Sequence, residues 1–329
     1  METEIRIKSS AGGFRQFTKN HGIIFITIGV IVAATIAVWI KNGDPWSFLA
    51  AQNFINILRA NSVTGVIAFG MAFVIISGNI DLSVGSQMTL VGIITFNVIN
   101  VTGSILAGLL TAVLSGVALS MICGFIVTKG AVPSFIITLG LSYIYRSLSI
   151  FSLNSGGITV GDKAFQAISN TSLGPIPLPI LYFFIVFLLY FYISKYTVMG
   201  RRIYAVGSNQ QATRLSGINT NWVKIQAFAL LGLTVGLAAV IEGSRMNSIN
   251  SSSTGNGYDL NTIAMAVVGG IAMEGGKGSI VNCLFGIIIL AVINTSMTIL
   301  GVNVYLVNAI KGAIIIFAVL LLRSRGKLN

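Results

Sequence analysis

The chain has 329 residues, of which 54% are hydrophobic and 9% are charged, and its mean hydropathy is +0.89. Because a soluble domain carries about 25% charged residues, this composition excludes a water-exposed surface over most of the chain. A formal net charge of +12 fits either the basic loops of a membrane protein or a nucleic-acid partner, and the positions of the charges decide between them.

Ten apolar stretches predict about ten transmembrane helices, each of which needs about 20 residues to cross the bilayer. They run over residues 22–40, 61–77, 83–99, 105–128, 133–152, 176–194, 225–243, 260–273, 279–299 and 304–322. The first stretch lacks a small-x-small cleavage site, which predicts a retained first span after a cytoplasmic tail over residues 1–21. We therefore expect an all-α polytopic membrane protein with a single transmembrane domain over residues 1–329.

Lysine and arginine concentrate on the cytoplasmic side of membrane proteins. With both termini inside, fourteen of the twenty basic residues lie inside, and only Lys41, Arg59, Lys163 and Arg245 lie outside. This predicts an N-in, C-in orientation, with membrane lipid as the neighbour of the loop charges. A nucleic-acid partner is not expected, because no basic face carries aromatic stacking residues. Lys311, inside the last apolar stretch, predicts a short outer helix or a snorkelling position.

Two connections are long: an outer one over about 153–175, and an inner one over 195–224. In the inner segment, Ser208 or Asn209 is predicted to cap a short helix from Gln210 to Ser216, which Gly217 ends. A short helix exposed on the inner face is a candidate docking element. The alternative is a cytoplasmic loop that is merely long.

Two stretches of the chain resemble each other. Asp81-Leu-Ser, followed by Met88-Thr-Leu-Val-Gly-Ile-Ile94, is similar to Asp259-Leu-Asn, followed by Met265-Ala-Val-Val-Gly-Gly-Ile271. The predicted topology places the two aspartates on opposite sides, which predicts an inverted repeat over residues 61–152 and 225–322. Chance similarity between apolar helices is the alternative. Asp81 either caps the helix that follows it or fixes a broken helix beside the transport pathway.

Acidic residues lie only in tails, loops and span ends, which disfavours an ion-driven mechanism. Polar groups near or inside the spans either line a solute path or hold helices together. The candidate path residues are Asp81, Ser83, Gln87, Thr138, Asn294 and Ser296.

No metal site or cofactor is expected, because the single histidine, His21, lies far from Cys123 and Cys283, which sit in apolar runs. An intramembrane enzyme would need histidine, aspartate or cysteine side chains grouped within the membrane, so this function is not expected either. The phosphate-binding pattern Gly-x-x-x-x-Gly-Lys-Ser/Thr does not occur in the sequence, so ATP must be handled elsewhere.

The run Gly200-Arg-Arg-Ile-Tyr-Ala-Val-Gly-Ser-Asn, followed by Ala212-Thr-Arg-Leu-Ser-Gly-Ile, resembles the coupling segment of the ribose-type ABC sugar permeases. These belong to the branched-chain amino acid/ribose permease superfamily. Gly78-Asn-Ile-Asp-Leu-Ser-Val-Gly85 is similar to the family's Gly-Gly-Ile-Asp-Leu-Ser-Val-Gly, with Asn79 in place of a glycine. Pro133-Ser-Phe-Ile-Ile-Thr-Leu-Gly140 and Val268-Gly-Gly-Ile extend the resemblance over most of the chain from about residue 50.

The resemblance implies a type II-like ABC importer permease in the bacterial cytoplasmic (inner) membrane. Such a subunit performs no chemistry itself and translocates a ribose-like pentose or a hexose delivered by an external sugar-binding protein. The implied partners are ABC ATP-binding subunits and a second permease copy, in a homodimer or pseudo-dimer. The residues implied to couple to the ATPase are Arg201, Arg202, Gly207, Ala212, Leu215, Ser216 and Gly217. The alternatives are a permease for nucleosides or another small polar solute, and an ATP-independent secondary transporter.

Overall fold

A computed structural model describes residues 11–303, except 45, 47 and 131, and residues 306, 307, 309, 310, 312 and 313; for residues 11–21 it describes the backbone alone. The described helices are α1 (Ala11–Asn42), α2 (Ala51–Ile76), α3 (Val84–Thr102), α4 (Ile105–Lys129), α5 (Ser134–Ser152), α6 (Lys163–Asn170), α7 (Leu178–Tyr196), α8 (Val198–Ser208), α9 (Gln210–Leu215), α10 (Thr220–Met246), α11 (Tyr258–Val268) and α12 (Ile280–Ile299). The described strands are β1 (Gly157–Thr159), β2 (Ser172–Leu173), β3 (Ile176–Pro177) and β4 (Ser248–Asn250).

Eight of the described helices are long and apolar enough to cross a membrane: α1, α2, α3, α4, α5, α7, α10 and α12. Their bounds coincide with the corresponding predicted stretches, mostly to within a few residues. The largest differences are at the starts of α1 and α2, since α1 begins at Ala11, eleven residues before the predicted start, and α2 begins at Ala51, ten residues before it. Residues 51–60 contain polar side chains but no glycine or proline, so nothing in them stops a helix.

The apolar stretch over residues 260–273, predicted as one of the ten spans, is helical over only part of its length. This stretch forms only α11, whose 11 residues are about 16 Å long, about half the thickness of the hydrocarbon core. The helix ends at Gly269, and Gly270 follows with φ +83°, a left-handed conformation that favours glycine. The predicted span over 304–322, with Lys311, lies largely outside the described residues.

Helices α2 and α10 are largely buried and form the centre of the bundle. Glycines bring α10 into backbone contact with α4: a Cβ at Gly116 would lie 2.5 Å from Gly232 O, and one at Gly236 would lie 2.5 Å from Ala112 O. Close backbone approach through small residues holds helices together in lipid, where no hydrophobic effect does so. By contrast, α1, α5 and α7 expose apolar faces, as lipid-facing helices do.

The two ends of the bundle differ. One end carries α8, α9 and the connection between α11 and α12, and we call it the coupling end. The opposite end, which we call the far end, carries α6 and the antiparallel pair of β1 and β4. Phe165 of α6 is buried there, with its ring centroid 5.3 Å from that of Phe96. The long connection predicted over 153–175 therefore forms β1, α6 and β2. At the far end, Lys41 Nζ of α1 also donates a hydrogen bond to Leu300 O just after α12.

Candidate functional site

The candidate coupling segment, residues 195–224, forms α8 and α9 between two long helices. The side chain of Asn209 begins α9 by accepting a hydrogen bond from Ala212 N at 2.9 Å. Gly217 follows α9 with φ +79°, which ends the helix. The predicted cap at Asn209 and the predicted stop at Gly217 are confirmed, whereas Ser208 is the last residue of α8 and does not begin α9.

Most residues that the sequence assigns to ATPase coupling are exposed on this segment. The exposed ones are Arg201, Arg202, Ala212, Leu215, Ser216 and Gly217. Leu215 exposes 83% of its surface and so offers an apolar contact, while Thr213 on the other side of α9 is buried and donates to Asn209 O at 2.8 Å. One side of α9 is thus anchored and the other is free for a partner, and contact with an ATPase stays a prediction.

Gly207 differs from the other assigned residues, because it lies in a backbone contact between three segments. A Cβ at Gly207 would lie 1.8 Å from Ile76 O and 2.5 Å from Gly276 N, and Gly276 N donates to Ile76 O at 2.8 Å. A Cβ at Gly275, whose φ is +89°, would lie 2.9 Å from Gly78 Cα. We call Ile76, Gly78, Gly207, Gly275 and Gly276 the glycine joint. Only residues without a side chain allow this approach.

Two side chains of α8 reinforce the glycine joint. Ser208 Oγ donates to Gly276 O at 3.3 Å, and Tyr204 OH donates to Gly278 O at 3.1 Å. Burial raises the pKa of the Tyr204 hydroxyl, so that the group stays protonated and remains a donor. The joint ties α8 to the end of α2 and to the connection before α12. A displacement of α8 therefore acts on both. Sequence reasoning missed this contact, although the glycines of 275–278 are a visible signal of close backbone approach.

Asp81, Ser83 and Thr138 meet in one hydrogen-bonded turn before α3. Asp81 Oδ1 accepts from Ser83 N at 2.7 Å and from Ser83 Oγ at 2.6 Å, and Oδ2 accepts from Cys123 Sγ at 3.8 Å. Leu82 N donates to Thr138 Oγ1 at 3.1 Å, which ties the turn to α5. All three side chains are fully buried. They bind protein groups in this structure, and a path role for them stays a prediction.

Gln87 and Ser296 also bind protein groups. Gln87 Nε2 donates to Gly116 O at 2.9 Å and to Ser120 Oγ at 2.8 Å, and Ser120 Oγ donates back to Gln87 Oε1 at 3.1 Å. This exchange fastens α3 to α4. Ser296 Oγ donates to Val292 O at 2.6 Å, one turn earlier in α12. Both side chains are buried, and their path role is likewise still a prediction.

Asn294 lies in a different environment, because it lines a cavity between α2, α11 and α12. The polar residues of this cavity are Asn61, Thr64, Tyr258, Asn261 and Asn294. Sequence reasoning found only the last of them. The signal for the others is their spacing, since Asn61 with Thr64, and Tyr258 with Asn261, are three residues apart and so share a helix face.

The starts of α3 and α11 meet through glycine. A Cβ at Gly85 would lie 2.2 Å from Gly255 O, in the loop over residues 251–257, which we call the returning loop. Arg146 Nη1 of α5 donates to Ser251 O at 2.9 Å and to Thr254 O at 3.0 Å. A cation inside an apolar helix is costly unless it is satisfied. Here backbone carbonyls satisfy it, and the arginine in turn holds the returning loop.

Comparisons with known proteins agree on one family. The family model described as "Branched-chain amino acid transport system / permease component" matches residues 53–319. The chain is 35% identical over 321 residues to the ribose import permease protein of Escherichia coli, covering 94% of this chain and 97% of that protein. It is 38% identical over 300 residues to the ribose import permease protein of Haemophilus influenzae, covering 90% and 91%. It is 32% identical over 328 residues to the D-allose transport system permease protein of Escherichia coli, covering 98% of each. No solved structure matches the chain.

Proposed function

The chain belongs to the permease-component family of branched-chain amino acid transport systems, and from that premise we propose that it is the membrane-spanning subunit of an ATP-driven monosaccharide importer. It is a multi-pass protein of the bacterial inner membrane. Relatives similar over nearly their whole length are named for ribose and D-allose, which supports a pentose or hexose as the solute. The observation that carries the mechanism is the glycine joint, since it links an exposed docking helix to two helices of the bundle.

The coupling end is the cytoplasmic end in this proposal. Basic residues at the coupling end are Lys129, Lys195, Arg201, Arg202, Arg214, Lys224 and Lys277. Basic residues at the far end are Lys41, Arg59, Lys163 and Arg245. The excess at the coupling end follows the positive-inside rule. With α11 and the connection behind it counted as one broken span, the described helices supply nine spans, and the span predicted over residues 304–322 makes ten, with both termini inside.

The inverted repeat over residues 61–152 and 225–322 is part of the same proposal. Two observations support it. Asp81 and Asp259 stand near the starts of α3 and α11, and these helix starts meet at Gly85 and Gly255 after entering from opposite ends. Inverted repeats with broken helices that meet inside the membrane are a common architecture of transporters.

An ATP-binding subunit docks on α8 and α9, and ATP is hydrolysed in that subunit rather than in this chain. Arg201 and Arg202 offer charge, and Leu215 offers an exposed apolar contact. Movement of the docked helices passes through Gly207 to the end of α2 and to the connection before α12. An external binding protein delivers the sugar at the far end. The chain itself makes and breaks no covalent bond.

A second permease copy packs beside α5. Tyr143 is 70% exposed on this helix and Ser147 is exposed beside it. Polar groups on an outward face of a membrane helix favour a water-filled path or a protein partner over lipid. A second copy beside α5 is such a partner, while lipid covers the remaining apolar faces of α1 and α7.

Deleting the gene and measuring uptake tests the proposal. Cells are given a panel of radiolabelled pentoses, hexoses and nucleosides, and the deletion is complemented with the intact gene. We expect the deletion to abolish uptake of one or a few monosaccharides and to leave nucleoside uptake unchanged. Loss of nucleoside uptake alone, or full sugar uptake in the deletion strain, contradicts the proposal.

A further inference from the structure

The cavity between α2, α11 and α12 lies well away from the coupling end. Asn61 is 15 residues before Ile76 of the glycine joint, which corresponds to about 22 Å along α2. On α12, Asn294 is near the end that leads to Leu300, whose carbonyl binds Lys41 at the far end. The cavity therefore lies where a solute entering from the far end arrives before it meets the coupling machinery.

The polar groups of the cavity have unused hydrogen-bonding capacity. Asn61 Nδ2 donates to Ile57 O at 2.9 Å, and Thr64 Oγ1 donates to Asn61 O at 3.2 Å. The side-chain amides of Asn261 and Asn294 make no hydrogen bond to any residue that the structure describes. Each amide has two N–H donors and one acceptor oxygen. Such groups between membrane helices are costly unless something binds them.

The chemistry of the lining selects the class of ligand. None of the described lining residues is charged, so neither an anion nor a cation finds a counter-charge among them. Amides both donate and accept, as sugar hydroxyls do. Met265 and Leu290 add an apolar wall that suits the C–H face of a sugar ring. The combination matches a neutral molecule with several hydroxyl groups and an apolar face.

We propose that this cavity binds the monosaccharide during translocation, with the amides of Asn61, Asn261 and Asn294 hydrogen-bonded to its hydroxyl groups. The inference rests on the proposed function and adds to it a solute site within one permease chain, at the far-end side. Among the residues predicted to line the path, Gln87 serves packing in this structure, whereas Asn294 lines the cavity and its amide makes no hydrogen bond to any described residue.

The test uses the complete transporter in proteoliposomes, with its ATP-binding subunit and its loaded binding protein. Asn261→Leu and Asn294→Leu each remove one amide, and the matched control Asn56→Leu removes an exposed amide on α2. We expect each cavity variant to lower sugar uptake per ATP hydrolysed about two- to tenfold, the effect of losing one hydrogen bond. ATP hydrolysis stimulated by the binding protein should continue, and the control should match the wild type.

Wild-type uptake per ATP in both cavity variants overturns the inference. If a leucine variant does not assemble, Asn261→Ala and Asn294→Ala, which only remove atoms, are measured in the same way and read by the same criterion. Failure of the proposed function looks different, because the wild-type transporter itself then takes up no monosaccharide with ATP.

Discussion

Replacing Gly207 with alanine adds one methyl group at the most crowded point of the glycine joint. The new Cβ would lie 1.8 Å from Ile76 O, whereas real Cβ contacts stay above 3.0 Å, so α8 and the end of α2 must separate by about 1.2 Å. The neighbouring atoms are backbone, Ile76 O and Gly276 N, and no flexible side chain can move aside in their place. The contact between the three segments therefore opens.

The cost of Gly207→Ala has two parts. Overpacking a tight contact costs about 1–3 kcal/mol. Moving Ile76 O away from its partner weakens the 2.8 Å hydrogen bond from Gly276 N, which contributes about 0.5–1.5 kcal/mol. A destabilisation of about 1.5–4.5 kcal/mol is expected in total. Because the change lies in the link rather than on the docking face, the ATPase still binds and hydrolyses ATP while less sugar is moved.

The assay measures sugar uptake and ATP hydrolysis on the same proteoliposomes, together with the thermal unfolding midpoint of the purified transporter. Gly29→Ala is the matched control, because a Cβ at Gly29 in α1 meets nothing within 4 Å. We expect Gly207→Ala to lower both the midpoint and the uptake per ATP, and Gly29→Ala to change neither. A wild-type ratio and midpoint in Gly207→Ala would refute transmission through the glycine joint.

Substitutions at three further positions test neighbouring parts of the mechanism. Gly217→Leu forces a side chain into φ +79°, a strain of about 1 kcal/mol that displaces the end of α9. ATP hydrolysis should therefore persist while sugar uptake falls, and normal values for both contradict docking at α9. Asp81→Asn keeps an acceptor for the Ser83 hydrogen bonds and should transport almost normally, whereas Asp81→Leu leaves buried donors unsatisfied at about 1–3 kcal/mol each and should lower the unfolding midpoint. Equal loss of uptake in both Asp81 variants contradicts the capping role. Arg146→Gln replaces the guanidinium that holds the returning loop with a shorter, uncharged amide, so proteolysis of this loop should be faster than in the exposed-site control Lys163→Gln. Equal rates contradict the anchoring role.

Local features were predictable because their causes are local. The long apolar runs give eight long helices close to where hydropathy places them, since each must satisfy its own backbone in lipid. Asn209 caps α9 and Gly217 ends it, because both depend on backbone conformation within a few residues. Helix α11 is shorter than the apolar stretch over 260–273 for the opposite reason. Hydropathy runs on through Gly269 and Gly270, while the backbone there leaves the helix.

Features that depend on packing were not predictable. The sequence marks Gln87 as polar within a span, yet only the neighbouring α4 shows that Ser120 and Gly116 O occupy its amide. The glycine joint unites residues about 70 and 200 positions apart in the chain, and no periodicity within one segment reports such a pairing. Polar character was therefore visible from the sequence, but the direction in which each group faces was not.

The most direct measurement is monosaccharide uptake by proteoliposomes that contain this chain, its ATP-binding subunit and the loaded binding protein, with no ion gradient. We expect uptake only when ATP is present on the side of the coupling segment, and none when the ATP-binding subunit is omitted. Uptake that continues without ATP, or without that subunit, would contradict the assignment of this chain to an ATP-driven importer.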